Sequence, residues 1–412
     1  MNSAGPSQDI EGQQFDDLGL YIHVPFCRQK CPYCGFYSEP IAGHDVGRVI
    51  QAMLRELDTA AATGKIPPSG KVSTIYIGGG SPSCLSEPQL ISLIDGIIAR
   101  IVITAQTGIT AQTDITAQAI PTVEFTVEVN PGQIQPHTLE IMRQKGVNRL
   151  SVGGQSFDQA ELDFLGRPYT PSQIISTIHQ AQKIGFKNIS LDLIFALPGQ
   201  SLDLWQAHLA TASQLGIQHL SAYSLTYEPD TVLEKALDQG KFQRADEELE
   251  RTMYYTTIDY LHQGGFEQYE ISNFAQLGFP CQHNLRYWAN LSYLGIGPGA
   301  CSYFPPQRTS NIKDVLGYTQ LIEKNTPAIV ETDQADPLQT ACQTAVLMLR
   351  RIIDLNLDDF FRRTGFQVQD LFSEPIKRYL QLELMTLQDG WLRLTRDALA
   401  IADSILCDFA AV

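Results

Sequence analysis

The sequence predicts an α/β fold on a parallel sheet, followed by a small, mainly helical C-terminal module, and three observations carry that expectation. Six short apolar, β-rich runs, at 20–26, 72–77, 123–129, 149–152, 189–195 and 219–225, are each followed by a helical pattern. Within 46–62, 89–102, 202–215 and 247–262 the apolar residues recur at three- and four-residue steps, the period of an amphipathic helix. From about Asp336 the strands give way to helices, through ACQTAVLMLRR, LDDFFRRTG and EPIKRYLQLELM, then a strand-like GWLRLT and a last helix over 398–409.

Strict β–α alternation demands parallel pairing with right-handed crossovers, which a doubly wound sheet and a closed or partial barrel both satisfy. The unusual residues favour a barrel. Cys27, Gly78, Gly79, Gly80, Glu128, Gln155 and Asp192 all fall at or near the C-terminal end of an expected strand, the rim where barrels build their sites. The expected organisation is a tail at 1–18, a barrel at 19–265, an extension at 266–335 carrying HNLRYW, and a helical domain at 336–412. Its three helices and hairpin are similar to a winged helix. The hexapeptide repeat at 103–120, ITAQTG-ITAQTD-ITAQAI, is too short for a solenoid, and its threonines and Gly108 point to a surface loop rather than a longer helix.

Bulk properties narrow the partners. The 412 residues carry a net charge of −16, which opposes nucleic acid and anionic lipid, so no nucleic-acid partner is expected. No basic segment followed by an apolar run opens the chain, and no stretch reaches the length of a membrane span. Eight cysteines without a regular framework read as reduced thiols of a cytoplasmic protein, a few of them recruited for metal or redox chemistry.

The recruited ones are Cys27, Cys31 and Cys34, spaced C-x3-C-x2-C on the loop leaving the first strand. Chance produces such a triplet about 0.003 times in a chain of this composition. A structural zinc site closes with four ligands, and no second pair supplies the fourth. Three thiolates on a four-iron cluster instead leave one iron open to an external ligand. Cys84, Cys281, Cys301, Cys342 and Cys407 share no metal spacing, although Cys281 lies two residues before His283.

With an aromatic before its last cysteine, this motif resembles that of the radical SAM superfamily. YIHVPFC, GGGSPS, GVNRLSVGGQSF, LDLIFALPGQ and YEISNFA-x4-PCQHNLRYW resemble, in order and over most of the chain, the oxygen-independent coproporphyrinogen III oxidase family, and most nearly its heme-chaperone branch. The resemblance implies a partial (β/α)6 TIM-like barrel that binds a 4Fe-4S cluster at Cys27, Cys31 and Cys34 and S-adenosylmethionine (SAM) at the open iron, where reduction splits SAM into methionine and a 5'-deoxyadenosyl radical. It further implies SAM contacts from Tyr21, Tyr33, Gly79, Gly80, Ser81, Glu128, Gln155, Arg167, Asp192 and Thr226. Glycine lets backbone approach the ligand, arginine suits a carboxylate and aspartate suits ribose hydroxyls.

Two departures weaken the oxidase assignment. Phe36 stands where those oxidases carry a further cysteine, and only 26 residues precede Cys27. HNLRYW resembles the HNxxYW motif of the chaperone branch: His283 can ligate heme iron, Arg286 can meet a propionate, and Tyr287 and Trp288 can pack on a porphyrin. The bland alternative is a loop in which His283 satisfies backbone groups and the aromatics plug the core. Tyr169 replaces a histidine frequent in relatives. The expected function is therefore that of a heme chaperone carrying a 4Fe-4S cluster, SAM and heme, which passes heme to acceptor (respiratory) proteins. Membrane contact arises only through such an acceptor, and a homodimer follows by family analogy. The alternative is radical oxidative decarboxylation of coproporphyrinogen III, so enzymatic activity stays open. A zinc or scaffold protein is a third reading.

Overall fold

The computed structural model describes residues 17–67, 72–106, 123–352 and 355–410. The six expected strands form as β1 (Leu18–Val24), β2 (Val72–Gly79), β3 (Glu124–Val129), β4 (Arg149–Gln155), β5 (Ile189–Phe195) and β6 (His219–Ser224). They pair in that order, every neighbour parallel. Leu20, Ile22, Ile75, Ile77, Phe125, Val127, Leu150, Val152, Leu191 and Leu193 all sink into one core, where helices cover the outer face. Burial on both faces is why these strands read as nearly continuous apolar runs.

The helices begin where capping chemistry starts them. Asp45 caps α1 (Val46–Ala62) by accepting from Arg48 N, and Thr170 forms a reciprocal capping box with Gln173 at the start of the helix Pro171–Ile184. That helix stops at Gly185, whose φ of 103° is open to glycine at little cost. The helix Glu87–Gln106 runs on into the first four residues of the hexapeptide repeat. Helix, not the expected loop, therefore occupies 103–106, because the apolar period of this helix continues through them. The remainder of the repeat, and the tail up to residue 16, lie outside the described residues.

The sheet is wider than six strands. Beside β6 stand β7 (Glu267–Glu270) and β8 (Asn273–Ala275), and beside β1 stand β9 (Tyr293–Ile296), β10 (Cys301–Phe304), β11 (Gln307–Asn311) and β12 (Ile329–Gln334). The order is β12-β11-β10-β9-β1-β2-β3-β4-β5-β6-β8-β7, parallel from β9 to β6 and antiparallel outside them. Residues 266–335 thus extend the barrel sheet at both edges. Glu56 of α1 fastens one edge, accepting from Gly297 N at 2.9 Å, Tyr318 Oη at 2.6 Å and Asn311 Nδ2 at 2.7 Å.

The C-terminal region has its own core around Met348, Phe360, Phe372, Leu392 and Phe409. Its helices carry a small antiparallel sheet of Leu355–Asn356, Met385–Gln388 and Trp391–Leu394. The single-turn segment Arg396–Ile401 faces the barrel, where Tyr255 Oη donates to the Arg396 and Asp397 carbonyls and Arg396 pairs with Asp259 at 2.7 Å. No described helix is long and apolar enough to cross a membrane.

Candidate functional site

Inside the barrel lies a chamber of about 1440 Å³. Its wall includes Cys27, Cys31 and Cys34 together with all ten residues assigned to SAM by resemblance: Tyr21, Tyr33, Gly79, Gly80, Ser81, Glu128, Gln155, Arg167, Asp192 and Thr226. Residues scattered over some two hundred positions of sequence are brought to one surface by the parallel sheet, whose strand ends share a rim.

The cysteine loop leaves β1, and Cys34 N donates to Cys31 O at 3.2 Å, which closes a turn between two cysteines that both line the chamber. Leu233 N donates to Pro32 O at 2.8 Å and anchors the loop from outside. Burial pushes the Cys27 and Cys34 thiols above the usual thiol range, and the neighbouring cysteines push further in the same direction. Three such thiols deprotonate together only on a positively charged centre. Among the described residues no three His, Cys, Asp or Glu side chains are grouped to hold a single metal ion.

Beside the loop, the glycine turn is bonded to the end of β1. Gly80 N donates to Val24 O at 2.8 Å and Ser81 N to Phe26 O at 2.7 Å. Gly79 has φ 104°, and a Cβ there would stand 2.6 Å from the His23 ring. The turn therefore requires glycine for backbone conformation and for space. Ser81 Oγ accepts from Asn130 Nδ2 at 2.8 Å.

The remaining side chains come from strand ends. Glu128 accepts from Tyr76 Oη at 2.9 Å, and its burial raises the carboxyl to about 7, with Asp192 adding to the rise. Asp192 is raised too by burial, against hydrogen bonds from Ser221 and Ser151. Gln155 sits at a bulge with φ 67°, an uncommon backbone for a residue other than glycine that turns the end of β4. Arg167 donates to Tyr33 Oη, and its guanidinium lies 5.5 Å from the Tyr33 ring and 5.9 Å from the Tyr169 ring. Its Nε is buried with no hydrogen-bond partner among the described residues. Tyr21 Oη meets His23 Nδ1 at 3.1 Å, and Thr226 is exposed at the mouth.

HNLRYW lies elsewhere. It forms the helix α2 (Gln282–Trp288) across the bottom of the barrel, and Asn284 alone of the six lines the chamber. His283 is 1% exposed; its Nδ1 meets Thr74 Oγ1 at 2.7 Å and its Nε2 meets Tyr287 Oη at 2.9 Å. Both nitrogens are engaged, so the expected iron ligation by His283 finds no free donor here. Arg286 donates to Asp17 O at 2.5 Å, Tyr287 packs edge-on to Tyr293, and Trp288 lies under the Arg350 guanidinium, 5.2 Å away. The expected porphyrin contacts of Arg286, Tyr287 and Trp288 are likewise replaced by interior ones.

Burial and the nearby arginines lower the His283 imidazole to about 3. In the unfolded chain it titrates near 6.5, so the stability tied to its neutral form is present above that pH and is lost as pH falls toward 3. His283→Ala strands the Thr74 and Tyr287 hydroxyls and is expected to cost about 2–4 kcal/mol in urea unfolding at pH 7.5. An unchanged midpoint would show that the histidine is not a structural strut.

Sequence reasoning passed over Tyr76 and Asn130, which hold Glu128 and Ser81. Tyr169 Oη donates to Gly153 O beneath Arg167, taking up the place noted for histidine in relatives. Only the alternation of β2, which turns Tyr76 to the chamber and Ile75 and Ile77 to the opposite, helix-covered face, offered a signal.

Residues 21–212 match the family model described as Radical SAM superfamily. The chain is 33% identical to the heme chaperone HemW of Bacillus subtilis over 390 residues, 94% of this chain and 98% of that protein. It is 37% identical to HemW of Escherichia coli over 69% of each chain. Among solved structures it is similar to the Escherichia coli coproporphyrinogen III oxidase HemN, described as a radical SAM enzyme, with a TM-score of 0.78 and 21% identity over 96% of this chain and 90% of that one. The last likeness speaks for the fold alone.

Proposed function

Because the chain belongs to the HemW family within the radical SAM superfamily, we propose that it is a heme chaperone: it binds a 4Fe-4S cluster, SAM and heme, and delivers heme to acceptor proteins. The chamber that gathers three cysteines and ten further polar or glycine positions on one wall carries the cofactor part of this reading. The heme part is supported by the family and by Phe36, an apolar side chain 68% exposed at the same chamber. Cys27, Cys31 and Cys34 would hold the cluster, which when bound supplies an open iron site and a one-electron couple. Gly79 and Gly80 bring backbone close to SAM, Arg167 presents its unpartnered Nε, and Glu128 and Asp192 accept from ligand N–H and O–H groups.

Glu128 gives this binding a pH dependence. A ligand donating to the carboxylate favours the charged form, so below about pH 7 binding must expel a proton. SAM affinity is expected to be roughly fivefold to tenfold weaker at pH 6 than at pH 7.5. In Glu128→Gln it is weaker throughout and flat with pH, as equilibrium dialysis would read. A wild-type profile as flat as the variant's would remove Glu128 from the contact.

The partners we propose are heme and heme-acceptor proteins in the cytoplasm or at its membrane face. Any membrane contact is made through the acceptor, and the chaperone acts as a homodimer. Transfer of bound heme to a heme-free acceptor tests the function. Conversion of coproporphyrinogen to protoporphyrinogen, with SAM and a reductant, would favour the oxidase instead.

A further inference from the structure

We propose that Arg149 and Asn284 form a carboxylate-binding subsite at the floor of the barrel chamber, which holds a propionate of the bound tetrapyrrole. This rests on the heme reading above. The chamber, about 1440 Å³, exceeds the roughly 300–1,000 Å³ that one small ligand fills, so space remains beyond SAM. Arg149 opens β4 at the end opposite Gln155, about 20 Å down the strand, and both residues line the chamber.

Arg149 is 1% exposed, and its Nε has no hydrogen-bond partner among the described residues. No described carboxylate stands within ion-pair distance of it. The nearby acids are committed elsewhere. Both oxygens of Glu124 accept from the first turn of α2, Oε2 from Gln282 N and Oε1 from His283 N, each at 3.0 Å. Asp192 accepts from Ser151 Oγ at 3.4 Å. The Glu124 charge lies near the guanidinium but does not pair with it, and Nε is left without an acceptor; a ligand carboxylate would supply one through paired, charge-assisted hydrogen bonds.

Asn284 adds an amide with two donors beside that floor. The interior packing of HNLRYW then has a purpose: His283 and Tyr287 fix α2 so that Asn284 reaches the chamber, and Trp288 backs a second chamber cation, Arg350. The motif serves the ligand from behind the wall, as positioning residues around one contact residue.

The test uses the full-length, anaerobically reconstituted protein, with heme and heme dimethyl ester as probes and SAM binding as control. Arg149→Gln and Asn284→Asp are each expected to weaken heme binding at least tenfold and to leave SAM affinity within twofold. The ester should bind wild type at least tenfold more weakly than heme and be indifferent to Arg149→Gln. If Arg149→Gln fails to fold, Asn284→Asp and the wild-type ester comparison decide. The proposal is overturned if Asn284→Asp binds heme like wild type, if the ester binds as tightly as heme, or if SAM affinity falls instead. Wild type that binds no heme overturns the chaperone reading and this subsite with it, whereas heme binding insensitive to both variants overturns the subsite alone.

Discussion

Cys31→Ser is expected to abolish the iron–sulfur cluster while leaving the fold intact. Cys31 lies on a turn closed by its own carbonyl, which accepts from Cys34 N, and serine keeps that backbone bond. The side chain is only partly buried, so the change should cost no more than about 0.5 kcal/mol of stability. A serine hydroxyl stays protonated near neutral pH and is a poor partner for iron, and two thiolates hold a cubane weakly. Iron and acid-labile sulfide after anaerobic reconstitution should fall to background, with circular dichroism unchanged. Full iron and sulfide in the variant would remove Cys31 from the ligand set. Zinc in place of iron in the wild type would revive the zinc reading.

Arg167→Ala is expected to weaken SAM binding roughly tenfold to a hundredfold, the range for loss of a charge-assisted hydrogen bond in a buried site. The guanidinium does two things at once, fixing the Tyr33 hydroxyl beside the cysteine loop and stacking between the Tyr33 and Tyr169 rings. Arg167→Lys should recover little, because an ammonium cannot supply the planar fork or the stack. Cluster content should survive in both variants. SAM affinity in Arg167→Ala within twofold of wild type would mean that the arginine serves the loop and not the ligand.

The barrel was legible because β1 to β6 are mostly buried, which writes short apolar-rich runs into the chain, and because helices such as α1 carry their caps in sequence. Edge strands left weaker marks. β11 and β12 are short and polar, with Val330 62% exposed, and they exist through pairing with distant neighbours rather than through any local pattern.

The site divides in the same way. Cysteine spacing and glycine turns are local, and resemblance carried the rest of the rim. Whether a histidine faces a ligand or the interior is a tertiary property. HNLRYW has the residue types of a heme contact, yet Thr74, 209 residues from His283 in sequence, is what occupies Nδ1. Arg149 read as the first residue of a strand, and only the folded barrel makes it a buried cation.

The account turns on heme delivery. Protein reconstituted with its cluster, loaded with one equivalent of heme and mixed with a heme-free acceptor, should lose its heme spectrum as that of the acceptor appears, with no protoporphyrinogen formed from added coproporphyrinogen. Heme that never binds, or coproporphyrinogen turned over in the presence of SAM and a reductant, would contradict it.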